Sequence, residues 1–223
     1  MFFARLKKIV RDHILGIIVL LCLLGLTGCA SSGSGLERLN AEQASTIHGL
    51  NREIARLNEE LDDVMRSRQE LAGAMAEMEK GLKDQLAAGD MSLAMDERGL
   101  IVTVQDNVLF DSGKAEIKDS ARRSLDTVAD ILDKKAAGHM IHIEGHTDNE
   151  PIRYSGWRSN WELSTARSTE VVHYFIEQSG LNPVLLAAVG YSEYQPVMSN
   201  ASAEGRSANR RVEIVISPRK PKQ

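Results

Sequence analysis

From Leu36 to Ala87 the chain contains no proline and only isolated glycines, and apolar residues recur at Ile47, Leu50, Ile54, Leu57, Leu61, Val64, Leu71, Met75, Met78 and Leu82. The intervals alternate between three and four, the 3.5-residue mean of a coiled-coil seam, and Arg68 is the interruption. This spacing predicts a long helix over residues 36–88. About 40 helical residues at 1.5 Å each reach roughly 60 Å, so the helix is expected to act as a spacer. A seam needs a partner. Isoleucine at 47 and 54 with leucine at 50 and 57 favours two parallel strands, which predicts a homodimer. The other solution is a single amphipathic helix folded back on its own domain.

Upstream, Arg5, Lys7, Lys8 and Arg11 precede an apolar run from Ile14 to Leu26, which ends in Thr27-Gly28-Cys29. A basic end, an apolar middle and small residues at a cut site are the three parts of a secretory signal. The run is shorter than the roughly 20 residues a membrane-spanning helix needs, so residues 1–28 are expected to be removed. Leu26-Thr27-Gly28-Cys29 resembles the lipobox of bacterial lipoproteins, whose cysteine is acylated and becomes the first residue. That resemblance makes Cys29 the lipid anchor and, with Ala30 and Ser31 following it, points to the periplasmic face of the outer membrane. Several acyl chains hold a protein durably where one does not. Residues 29–35, rich in serine and glycine, read as a flexible tether.

Near residue 90 the pattern changes. Alternation at Leu100-Ile101-Val102-Thr103-Val104 signals a strand. Strands are predicted at about 99–105, 140–145, 185–190 and 210–217, and helices at about 119–135 and 161–178. The fold class is therefore α+β: a mixed β-sheet with helices packed on one face, preceded by the long coiled-coil helix. The expected domain spans residues 90–217, followed by a polar tail at 218–223. The net charge of −4 argues against a nucleic-acid partner, which calls for a basic surface. Both cysteines, Cys22 and Cys29, lie in the leader, so the remainder has no disulfide framework or Cys-based zinc site.

The most informative stretch is Glu144-Gly145-His146-Thr147-Asp148-Asn149, followed by Asn160-Trp161-Glu162-Leu163-Ser164-Thr165-Ala166-Arg167. Together with Val108-Leu109-Phe110-Asp111-Ser112-Gly113 and Asn209-Arg210-Arg211-Val212-Glu213, it resembles the OmpA-like peptidoglycan-binding domain over about residues 99–217. The resemblance implies non-covalent binding of a diaminopimelate stem peptide, with no cofactor and no catalysis. Such a ligand presents an ammonium beside a carboxylate. Asp148 suits the ammonium, and the planar fork of Arg167 suits the carboxylate. Asn160 is expected to cap the helix carrying Arg167 and to offer amide hydrogen bonds. Thr147 and Asp111 are further candidate contacts, each with a turn-capping role as the alternative. Arg210 and Arg211 take opposite faces of a regular strand; Arg211 is assigned to the pocket. The alternative for Asp148 and Arg167 is a structural ion pair joining loop to helix.

The loop from Glu150 to Ser159 is longer than the shorter family pattern and is similar to the wall-binding domain of flagellar stator subunits. Its Tyr154 and Trp157, with Trp161, either pack the loop or stack on sugar. A stator subunit needs a carboxylate within the membrane, and Ile14 to Gly28 contains none. His142, Glu144 and His146 stand at i, i+2 and i+4 of a strand, which raises zinc ligation and a zinc-dependent wall hydrolase as a third reading. The bland reading is a solvated sheet face, and no metal is expected. There is no Gly-x-Ser-x-Gly elbow and no Cys/His nucleophile pair after the leader, so no enzyme site is expected.

Overall fold

The computed structural model describes the backbone of residues 2–153 and 155–219 and the side chains of residues 35–153 and 155–219. The lipidation expected at Cys29 and the role expected of Tyr154 lie outside these side chains. Helix α1 runs Phe2–Gly81, and α2 follows at Lys83–Ala88. The expected tether at 29–35 lies within α1. Gly33 and Gly35 are isolated, and each costs a helix only about 1 kcal/mol relative to alanine. Among the described residues no helix is long and apolar enough to cross a membrane.

The chain divides into two units, Met1–Glu59 and Glu60–Gln223. In the first, the seam residues Ile47, Leu50, Ile54 and Leu57 are about half exposed, at 56, 58, 55 and 49%. In the second, Leu71, Ala74, Met78 and Leu82 are fully buried in the core. The seam expected to be continuous over 36–88 is thus two surfaces with different fates. The change falls at the Arg68 interruption. The Arg68 guanidinium donates to the Asp96 carbonyl at 2.8 Å, and Ser67 Oγ lies 3.0 Å from His139 Nε2. A residue that looked like a flaw in a coiled coil marks where the helix meets its own domain, so the expected domain start at 90 falls after the first helical segment of the core.

The remaining elements are β1 (Met91–Asp96), β2 (Gly99–Gln105), α3 (Asp106–Leu109), α4 (Asp119–Lys135), β3 (Met140–His146), α5 (Asn160–Glu177), β4 (Leu186–Gly190), α6 (Ala203–Asn209) and β5 (Arg211–Ser217). The sheet order is β1-β2-β5-β3-β4, antiparallel except for the β3–β4 pair. This is the expected α+β mixed sheet. β1 was not expected, because methionine, alanine and aspartate are weak strand formers. Its Met91, Leu93 and Met95 nevertheless alternate, and Met91 pairs with Val104.

Ile141 and Ile143 of β3 and Val212, Ile214 and Ile216 of β5 face the helices and are buried. At two points α5 comes unusually close. A Cβ on Gly145 would lie 2.2 Å from the Ser164 carbonyl oxygen, and one on Gly190 would lie 2.2 Å from Thr165 Oγ1. These glycines are partners across the parallel pair. Their missing side chains let α5 sit on the sheet and set the height of Arg167, one turn further along.

Candidate functional site

At the end of β3 the chain leaves the sheet through Thr147 and Asp148 and enters the long loop. The Asp148 carboxylate accepts the Glu150 backbone N–H at 3.0 Å on Oδ1 and Arg210 Nη1 at 2.5 Å on Oδ2. Thr147 Oγ1 donates to the Asp148 carbonyl at 2.9 Å, while its N–H is held by the Ser192 carbonyl. Helix α5 opens beside this turn. Its cap is Ser159, which accepts the Trp161 N–H. Asn160, expected as the cap, is instead the first helical residue. Its amide donates to the carbonyls of Asp148 and Glu150 at 3.3 and 3.1 Å and to Glu193 at 3.0 Å. It therefore pins the loop to the helix.

Arg167 is 3% exposed and held on three sides. Nε donates to the Lys114 carbonyl at 2.9 Å, Nη1 lies 2.7 Å from Asp106 Oδ1, and the guanidinium carbon stands 5.1 Å from the centre of the Phe110 ring. Burial pushes the Asp106 carboxyl above its usual range against the pull of Arg167, and burial likewise lowers Arg167. A buried pair of this kind is weak as a source of stability, but breaking it strands a charge. Its effect here is to fix the guanidinium plane.

These groups line one cleft of about 600 Å3. Asp148, Arg167, Asn160, Thr147 and Asp111, the candidate contacts of the sequence, all border it. Asp111 is exposed; its ion pairs with Lys114 and Lys118, both 3.4 Å, hold its carboxyl below the usual range. The assignment of Arg211 is corrected. Arg210 borders the cleft, whereas Arg211 projects from the opposite sheet face, donating Nε to Glu213 at 2.7 Å and Nη2 to the Gln195 carbonyl. A strand alternates faces, so one residue of register decides which arginine is available.

Asp148 and Arg167 are not partners of one another: each carries its own counter-ion, Arg210 and Asp106. Sequence reasoning also missed Asp106, Phe110, Lys118 and Arg153, which border the cleft from segments far apart in the chain. The lining is zwitterionic, with Arg167, Arg210, Lys118 and Arg153 set among Asp106, Asp111, Asp148 and Glu150. Trp157 packs the long loop down, donating its indole N–H to the Gly113 carbonyl at 2.9 Å. Trp161 stacks on Tyr194, with ring centres 5.5 Å apart.

Residues 109–210, which include β3, α5, β4 and most of the cleft lining, match the model of the OmpA family. Residues 109–210 are an OmpA-family domain. The chain is 40% identical to motility protein B of Bacillus subtilis (strain 168) over 151 residues, which are 68% of this chain and 58% of that protein. It is 31% identical to the probable lipoprotein YiaD of Escherichia coli (strain K12) over 140 residues, 63% of this chain and 61% of that protein. The chain thus spans about three-fifths of the length of these relatives. The structure of the cell wall anchor of the T6SS from Pseudomonas aeruginosa superposes with a TM-score of 0.58 at 34% identity, covering 64% of this chain and 97% of that one.

Proposed function

We propose that the protein binds peptidoglycan non-covalently through this cleft and ties the outer membrane to the wall. The observation that carries the reading is the pairing of opposite charges across one cleft. Asp148 faces it from the β3 turn, and Arg167 faces it from α5 with its fork fixed by Asp106, Lys114 and Phe110. A diaminopimelate side chain carries an ammonium and a carboxylate on one carbon, so it needs both signs within a few ångströms. The ammonium takes Asp148, displacing the half-exposed Arg210, and the carboxylate takes Arg167 with Arg210 turned towards it. Thr147, Asp111 and Asn160 border the ligand or hold the turn that does. Among the described residues, no group in the cleft is arranged as a nucleophile with a base, and the reading is of a binding protein rather than an enzyme.

The membrane end of the reading rests on the leader: a short apolar run, the lipobox-like Leu26 to Cys29, and the likeness to a probable lipoprotein. The unit with the half-exposed Ile/Leu seam then acts as spacer and as a dimer contact. A second reading, a wall-anchoring subunit of an ion-driven motor, is favoured by the likeness to motility protein B and by the long loop at 150–159.

Calorimetry with a soluble diaminopimelate stem peptide tests the cleft, since a monovalent ligand removes avidity. Asp148→Ala is expected to weaken binding by about 2–5 kcal/mol, roughly 30-fold to several thousand-fold. Arg167→Lys keeps the charge but loses the fork, and is expected to weaken binding at least about tenfold with the fold intact by circular dichroism. Binding within threefold of wild type in either variant places the ligand elsewhere.

A further inference from the structure

The sheet face opposite the helices holds a buried charged cluster that the cleft does not use. Glu144 and His146 of β3 and Glu213 of β5 all project there, and Glu144 and Glu213 are direct partners across the antiparallel pair. They are 6, 3 and 5% exposed. Two carboxylates in that position repel one another. Arg98, in the turn between β1 and β2, bridges them, donating Nη1 to Glu144 at 3.0 Å and Nη2 to Glu213 at 3.1 Å. Arg211 adds its bond to the other Glu213 oxygen at 2.7 Å.

His146 takes no part in this network. Both ring nitrogens are buried without a hydrogen-bond partner, and the ring stacks on Tyr191 with centres 5.2 Å apart. Buried imidazole nitrogens are rarely left without a partner. Here one ligand-capable atom each from Glu144, His146 and Glu213 lies within 4.8 Å of the other two. Burial, helped by the Arg211 charge, lowers the His146 pKa to about 4, which keeps the ring neutral and its lone pair free.

We propose that Glu144, His146 and Glu213 form a site for a divalent transition metal of the zinc class, which clamps β3 to β5 on the face away from the cleft. One imidazole nitrogen and two carboxylate oxygens are zinc donors, at bond lengths of about 2.0–2.2 Å. Tetrahedral bonds of that length set the donors about 3.4 Å apart, so the side chains close by up to about 1.4 Å when the ion enters. Arg98 is the competitor for the same oxygens. Its side chain is 47% exposed and sits on a turn, so it can leave for solvent when the cation arrives, while buried Arg211 stays on Glu213. The set differs from the His142, Glu144 and His146 triplet suggested by strand periodicity. His142 lies across from Val215 and is outside the cluster, and β5 supplies the third ligand instead.

The test is titration of the chelator-stripped full chain in detergent with zinc sulfate, followed by calorimetry and thermal unfolding. One equivalent is expected to bind and to raise Tm by about 5–10 °C at a hundredfold excess over Kd. His146→Gln is expected to lose on the order of 100-fold in affinity, since even residues that only orient ligands cost 10- to 100-fold. Arg98→Ala keeps every ligand and removes the competitor, and is expected to bind zinc several-fold more tightly than wild type. That variant decides the matter if His146→Gln fails to fold. Absence of stoichiometric zinc in wild type and Arg98→Ala alike, binding unchanged in folded His146→Gln, or no tightening in Arg98→Ala overturns the site.

Discussion

Asp148 and His146 are two residues apart, a spacing that would put them on one face of a continuous strand, yet they do unrelated work because β3 ends at His146 and the turn carries Asp148 out of the sheet. Asp148 reaches the cleft; His146 is enclosed on the opposite face between Glu144, Glu213 and Tyr191. The depressed His146 pKa has a consequence for stability that can be read in the absence of metal. An unfolded histidine titrates near 6.5, whereas this one, desolvated and near Arg211, titrates at about 4. The folded state therefore binds fewer protons between those values. Stability contributed by keeping His146 neutral is present above pH 6.5 and is lost as pH falls from there to about 4. The full loss is about 3 kcal/mol by linkage. The Glu144 and Asp106 carboxyls, raised by burial, work the other way, since they gain protons on folding as pH falls. The difference between wild type and His146→Gln isolates the histidine. Urea unfolding of chelator-treated protein at pH 7 and pH 4.5 is expected to show a larger loss in wild type than in the variant. Equal losses would mean that water reaches the ring.

Helix α1 shows how one sequence pattern serves two kinds of packing. The three-four spacing runs from Ile47 to Leu82, but up to Leu57 the side chains are half exposed, and from Leu71 onward they lie in the core with α4 and the sheet. If the chain dimerises through this seam as proposed, replacing Ile54 and Leu57 by lysine is expected to abolish self-association without lowering domain stability, because it removes two adjacent layers from the proposed coiled coil and nothing from the sheet domain. Met78→Ala is expected to leave association unchanged and to cost the domain about 2–5 kcal/mol through the cavity it opens. Sedimentation in detergent, with urea unfolding beside it, reads both. A monomeric wild type at tens of micromolar would reduce the first unit to a spacer, and a neutral Met78→Ala would detach the helix from the core.

For the whole molecule, the proposed tether needs both ends. A mature N-terminus at an acylated Cys29 is expected by mass spectrometry of the native membrane fraction; an intact Met1 would favour the motor-subunit reading instead. The α+β class and the order of most elements were legible in the chain, because helices and strands are written in local composition and in periods of 3.6 and 2. That Asp148 and Arg167 are candidates to share one site was legible too, since each sits in a short contiguous motif, and both border the cleft. Tertiary structure alone decided the counter-ions. Asp106 and Arg210 reach the cleft from segments about 40 to 60 residues away from Asp148. It also decided that Arg210 rather than Arg211 borders the cleft, that Arg68 marks a docking point, and that Glu213 completes the cluster around His146. Each of these depends on strand register or on contacts between distant segments, and a periodic pattern says which residues share a face of one element without saying what that face meets.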